Sequence, residues 1–261
     1  MGGAILRGLV QPGVEVSGGI RVTNRSIAKA DAIMLGGVES LALERDPDAN
    51  RAAVRGAGVV LVGVKPAMVP DTLRGIADDL EPGALVISLA AGVTIATMEG
   101  IVPNAILRSM PNTPAVVGRA VTGLAAGSRS TPEQLVLGRA VFETVGTVIE
   151  VDEAQIDPLG TISGSGPAWV YFFIERITET AIHLGFTPAQ AKTMVEETWL
   201  GSMEYLMASD RTPEQLRREV TSPKGTTERA IGVLTDADLT ALFDRAVQAG
   251  LVRAKEMAEG K

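Results

Sequence analysis

Val59-Val60-Leu61-Val62-Gly63-Val64 is an unbroken apolar run, and no other stretch limits the fold as much. A strand with one wet face alternates polar and apolar residues. A run apolar throughout belongs to a strand covered on both faces, as in a parallel sheet flanked by helices. Leu85-Val86-Ile87-Ser88 has the same character, and shorter runs at 20–23, 105–108, 121–125 and 148–151 read as further strands. Helical stretches lie between them: at 26–35, ending near Gly36-Gly37, around 50–55, at 69–80, stopped by Pro82-Gly83, and from Thr131-Pro132-Glu133 to Phe142. Strands alternating with helices predict an α/β fold with a parallel sheet and crossover helices.

After about Asp152 no segment reads as a strand. Residues 167–184 are apolar nearly all round, which predicts a helix buried at an interface. Thr187-Pro188 and Thr212-Pro213-Glu214 are helix starts, a capping threonine followed by proline in the first turn. Asp236 or Asp238 opens a last helix reaching about Ala258. The chain thus divides into an α/β domain over 1–152 and an all-helical domain over 153–261, and such helical halves commonly dimerise.

Several function classes drop out on composition. A net charge of −7 with aromatics at 3% leaves little to attract a phosphate backbone or stack its bases, so no nucleic-acid partner is expected. No cysteine is present, which removes disulfides, thiolate metal sites and thiol nucleophiles, and the one histidine, His183, cannot form a cluster. No metal site is expected. No apolar run has the length of a membrane span, and no signal-peptide pattern precedes the first glycines. The expectation is a cytoplasmic protein acting on a small molecule.

Three polar, glycine- or proline-marked segments carry the chemistry. Thr221-Ser222-Pro223-Lys224-Gly225-Thr226-Thr227 opens a helical pattern and offers backbone N–H groups and hydroxyls to a small anion. Met110-Pro111-Asn112-Thr113-Pro114 follows a strand, and Ser163-Gly164-Ser165-Gly166-Pro167-Ala168 precedes an apolar helix. In this order and spacing they resemble Δ1-pyrroline-5-carboxylate reductase over nearly the whole chain. The resemblance implies a Rossmann-like NAD(P)-binding domain, a helical dimerisation domain, and NAD(P)H-dependent reduction of pyrroline-5-carboxylate to proline. It further implies helical domains interlocked between two subunits, each substrate loop serving a site near the partner's cofactor, with dimers assembling into a decamer.

A dinucleotide fold normally opens with a strand and a Gly-x-Gly-x-x-Gly turn. This chain begins Met1-Gly2-Gly3-Ala4-Ile5-Leu6, which matches the family after its second fingerprint glycine, with Gly2 as the third, close-packing one. The expectation is an N-terminally truncated start and a slot at the sheet centre, with weak folding or weak cofactor binding as its consequence. At the end of strand 20–23, Asn24, Arg25 and Ser26, with Lys29 one turn on, replace the acidic residue that holds the ribose of NAD. Arg25 can fork onto a 2′-phosphate while Asn24 and Ser26 donate to its oxygens, so NADPH is expected, with NADH possible. Val64, Lys65 and Pro66 resemble the family segment beside the cofactor. Ala91 and Gly92, after Ala90 at another strand end, either let a nicotinamide approach the backbone or form a simple turn. Asn112 can donate and accept toward its carboxamide or ribose, or else satisfy its own loop.

For the substrate, the family likeness places Ser222, Gly225 and Thr226 at the carboxylate and the Thr227 hydroxyl near the ring nitrogen, as the catalytic contact. The same threonines also suit plain helix capping. Many relatives carry glycine where Lys224 stands. A protonated imine is already electrophilic, so positioning supplies most of the acceleration. Two rivals remain: a β-hydroxyacid dehydrogenase, whose catalytic lysine only Lys192 could represent, and a fragment unable to bind cofactor.

Overall fold

The computed structural model describes residues 1–258. Packing separates two units, Met1–Ser165 together with the chain from Gly250 onward, and Gly166–Ala249. The first unit opens on helix α1 (Gly2–Leu9), with Ala4, Ile5, Leu6 and Gly8 buried. The close-packing glycine is Gly8 rather than Gly2: a Cβ on Gly8 would lie 2.5 Å from Thr144 Oγ1 and 2.6 Å from Val145 Cγ1, whereas one on Gly2 meets nothing within 4 Å.

Two parallel strands follow, β1 (Ile20–Asn24) and β2 (Val38–Ala42), paired in register from Ile20–Val38 to Asn24–Ala42. Helix α2 between them spans only Ile27–Asp31, shorter than the expected 26–35, because the chain must turn back through Gly37 at φ 76° to enter β2. Strand β2 itself escaped sequence reading. Glu39 and Ser40 interrupt its apolar pattern, and only Ala42 is buried.

Helix α3 (Ala49–Val54) leads to β3 (Val59–Val62), helix α4 (Val69–Ile76) to β4 (Leu85–Ser88), and helix α5 (Ile95–Glu99) to β5 (Ala105–Met110). After β6 (Ala120–Ala126), helix α6 (Pro132–Glu143) returns the chain to β7 (Gly146–Glu150). These strands form one sheet in the order β3-β4-β5-β6-β7. All neighbours are parallel except β5 and β6, which run antiparallel, correcting the all-parallel expectation. The connection from Met110 to Ala120 holds a single 3-10 turn (Thr113–Val117), too short for the crossover helix a parallel neighbour needs.

Alternate residues of the central strands face opposite layers. Val86 and Ile106 pack with Leu73, Ile95, Met98 and Ile156 on one face. Leu85, Ile87 and Leu107 pack with Ile5, Leu124, Val141 and Phe142 on the other. Each such side chain contributes roughly 1.5–3 kcal/mol by leaving water. Strand β4 is fully buried, as its apolar run predicts, but Val59, Val60 and Leu61 of β3 are only half-buried. Among the described residues β3 pairs only with β4, and β1 only with β2.

Asp79, in the turn after α4, joins that turn to α3 by accepting from Arg51 Nε at 2.5 Å and Arg55 Nε at 2.7 Å. The hydrogen bonds from Arg51 and then Arg55 hold its carboxyl below the ordinary carboxylate range. A lowered folded-state value stabilises above the unfolded value of about 3.9 and is lost as pH falls through the folded one. Asp79→Asn is therefore expected to lower the Tm at neutral pH, with the gap to the parent closing below about pH 4. Thermal melts across that range check this.

Helix α7 (Glu153–Leu159) and a π turn (Gly160–Gly164) pack with the sheet unit, whose contacts extend to Ser165. Buried Ile156 and the pairing of Arg108 with Glu153 and Asp157 hold them there.

The second unit contains α8 (Gly166–His183), α9 (Pro188–Met207), α10 (Pro213–Glu219) and α11 (Thr226–Asp236), with α12 (Leu239–Ala258) running out of it. Thr187 and Thr212 form capping boxes with Gln190 and Gln215, confirming the helix starts. Trp169 lies 5.7 Å from Phe243 between ring centroids, and Phe173 lies 6.1 Å from Phe243 and 6.4 Å from Trp199. Yet within 166–249 only Ala181, Ala191 and Val195 are buried hydrophobics, while Tyr171, Phe172, Leu184, Met203 and Val233 stand exposed. Apolar surface on this scale marks an interaction face. No described helix is long and apolar enough to cross a membrane.

Candidate active site

The carboxyl ends of β1, β3, β4 and β5 carry the loops read as the nucleotide site. Asn24 is the last residue of β1, and its Nδ2 is buried with no hydrogen-bond partner. Arg25 is exposed and its guanidinium makes no ion pair among the described residues. Ser26 caps α2, its Oγ accepting from the Lys29 N–H at 3.4 Å, which leaves the hydroxyl hydrogen free to donate. An orphaned amide, an unpaired guanidinium and a free hydroxyl in one turn suit the oxygens of a 2′-phosphate.

Val64 packs beside the core while Lys65, exposed, precedes the 3-10 turn Pro66–Met68, its carbonyl accepting from Met68 N–H at 2.8 Å. Past β4, Ser88 Oγ accepts from Ala90 N–H at 3.2 Å and the Ser88 carbonyl from Ser109 Oγ at 2.8 Å. This pins the start of the Ala90-Ala91-Gly92 turn, where Gly92 has φ 72°. Ala91 and Gly92 are half-buried and carry no side chain larger than a methyl group.

Asn112 is 8% exposed, and both ends of its amide are bonded inside the unit. Nδ2 donates to the Ser163 carbonyl and Oδ1 accepts from Val121 N–H, each at 2.9 Å. It ties the loop after β5 to the start of β6 and to the π turn. Arg108, 2% exposed on β5, was not singled out in the sequence: it reaches Asp157 and Glu153 on α7, and Glu153 also accepts from Ile95 N–H at 2.7 Å. Its partners lie 45 and 49 residues away, so no local pattern signals the cluster.

In the second unit the turn before α11 takes the expected form, with one revision. Gly225 N–H already donates to the Ser222 carbonyl at 3.0 Å, closing the turn, so the free donors are the Thr226 and Thr227 N–H groups and hydroxyls, which have no partner among the described residues. Lys224 has φ 61°, the left-handed conformation that glycine adopts at no steric cost, and its N–H donates to Glu228 Oε2 at 2.8 Å. Ser222 is exposed at the mouth of the turn. The positive end of the α11 dipole adds to the attraction for a carboxylate.

Comparison with known proteins places this geometry. The family described as "Pyrroline-5-carboxylate reductase dimerisation" matches residues 153–257, and "NADP oxidoreductase coenzyme F420-dependent" matches 1–92. A pyrroline-5-carboxylate reductase of Methanosarcina acetivorans is 32% identical over 99% of this chain and 95% of its own. The solved reductase of Coxiella burnetii aligns at a TM-score of 0.85 and 36% identity, covering 98% of this chain and 94% of that one. The Plasmodium falciparum structure, solved with NADP bound, aligns at 0.83 and 26% identity over 99% and 94%. The Rossmann-like α/β fold and the helical dimerisation domain are both established by these matches.

Proposed function

The chain belongs to the pyrroline-5-carboxylate reductase family, and on that premise we propose that it reduces 1-pyrroline-5-carboxylate to L-proline with NADPH, the last step of proline biosynthesis, in the cytoplasm. The observation that carries the reading is the turn at Ser222–Thr227, whose free donors match the substrate's carboxylate, in a chain aligned to reductases over nearly its full length.

When bound, the cofactor supplies a hydride to the ring carbon of the imine. The chain's residues do the rest by placement. Thr226 N–H and Ser222 hold the carboxylate, with Gly225 shaping the turn. The Thr227 hydroxyl faces the ring nitrogen. Asn24, Arg25 and Ser26 take the 2′-phosphate, Val64-Lys65-Pro66 and Ala91-Gly92 flank the dinucleotide, and Asn112 fixes the wall beside the nicotinamide. We further propose that the exposed apolar helices pair two subunits, and that such dimers assemble into a decamer.

Asn112→Ala is expected to lower kcat about 10- to 100-fold with NADPH affinity changed less than about threefold, since its amide is engaged inside the fold. Steady-state kinetics beside a fluorescence titration of NADPH separate the two. The reading as a whole is tested by offering the purified protein NADPH with pyrroline-5-carboxylate and, separately, NADP with small 3-hydroxy acids. Oxidation of NADPH by the imine supports it; turnover of the hydroxy acids alone selects the dehydrogenase reading.

A further inference from the structure

We propose that Glu44 sets how far this protein distinguishes NADPH from NADH, because its carboxylate takes the Ile27 N–H in the turn that the 2′-phosphate would enter. The inference rests on the cofactor placement above. Beyond β1 and β2 the two chains stay zipped together: Leu43 N–H donates to the Asn24 carbonyl at 2.9 Å and Glu44 N–H to the Arg25 carbonyl at 3.1 Å. That pairing delivers the Glu44 side chain into the turn, where Oε2 accepts the Ile27 N–H at 3.1 Å. The same turn carries Arg25 and Lys29, neither in an ion pair among the described residues, the Ser26 hydroxyl and the orphaned Asn24 Nδ2. The neighbouring acid, Asp31, is instead held by Arg45 at 3.2 Å.

Glu44 is thus the acid bonded within a turn otherwise built of donors and cations. A doubly charged 2′-phosphate entering that turn meets a like charge and competes for Ile27 N–H. A ribose 2′-hydroxyl carries no charge and can donate to the same carboxylate. The carboxylate therefore works against NADPH and in favour of NADH, narrowing the preference that Arg25 creates. It lies 17 positions along the chain from Ile27, beyond the strand that sequence reading missed, so the loop 24–26 alone overstates the selectivity.

The test is direct binding, without substrate, by fluorescence titration of NADPH and NADH against the parent protein, Glu44→Gln, Glu44→Ala and Arg25→Ala. Glutamine keeps an acceptor for Ile27 N–H and removes only the charge. The expected result is an NADPH Kd tightened about five- to tenfold in both Glu44 variants, with the gain shrinking at high salt. The NADH Kd should be unchanged or weakened, and Arg25→Ala should weaken NADPH alone. Equal changes for both cofactors, or none, in the Glu44 variants while Arg25→Ala stays selective would overturn the role of Glu44 alone. An Arg25→Ala protein that binds NADPH as the parent does would overturn the cofactor placement and this inference with it.

Discussion

Gly225→Val is expected to lower kcat/KM for pyrroline-5-carboxylate by at least about a hundredfold while leaving NADPH affinity within about twofold. A Cβ at Gly225 would lie 2.9 Å from the Ser222 carbonyl oxygen, the atom that Gly225 N–H bonds to close the turn. Backbone has to move, and with it the Thr226 and Thr227 amides and hydroxyls. Those groups act by being fixed before the substrate arrives, so displacement of even about 1 Å forfeits orientation as well as hydrogen bonds. The turn lies in the helical unit and the nucleotide loops in the other, which is why cofactor binding should stand apart. Initial-rate kinetics with an NADPH titration on the same preparation check both halves.

Arg108→Ala should reduce stability by about 2–4 kcal/mol. The side chain is 3% exposed and its loss empties a filled volume between β5 and α7. It also leaves Glu153 and Asp157 facing each other without a cation. These carboxylates are 33% and 38% exposed, so water recovers part of the loss and the figure stays below that of a fully buried pair. Arg108→Met fills the volume without the charge and should cost about half as much. Urea denaturation reads both as a lowered midpoint at unchanged slope. An unfolding free energy within about 0.5 kcal/mol of the parent for the alanine variant would mean the cluster is solvated rather than structural.

What the sequence revealed followed from how local each signal is. The runs at Val59 and Leu85 identify strands because burial on both faces leaves no room for polar residues. Thr131, Thr187 and Thr212 mark helix starts because a capping box closes within three residues. The antiparallel turn of β6 against β5 was hidden because 105–108 and 121–125 look alike whichever way they pair. Strand β2 was hidden because Val38-Glu39-Ser40-Leu41-Ala42 has little apolar patterning and is held mainly by β1.

The candidate site divides in the same way. Asn24, Arg25, Ser26, Thr226 and Thr227 declare themselves by residue type beside a turn. What Glu44, Arg108 and Asn112 bond depends on partners 17, 45 and 51 residues away, which only the folded chain brings together. Lys224 holds a left-handed backbone that glycine adopts at no steric cost, and its residue type gives no sign of it.

In the proposed reaction a hydride passes from NADPH to the ring carbon of a bound imine, with the chain supplying position rather than an acid, base or nucleophile. The most direct measurement uses NADPH carrying deuterium at the transferred position of its nicotinamide C4, with pyrroline-5-carboxylate, and mass analysis of the proline formed. L-proline is expected to form in step with NADPH oxidation and to bear one deuterium at the former imine carbon. Proline without deuterium, or NADPH consumed with no proline formed, would contradict it.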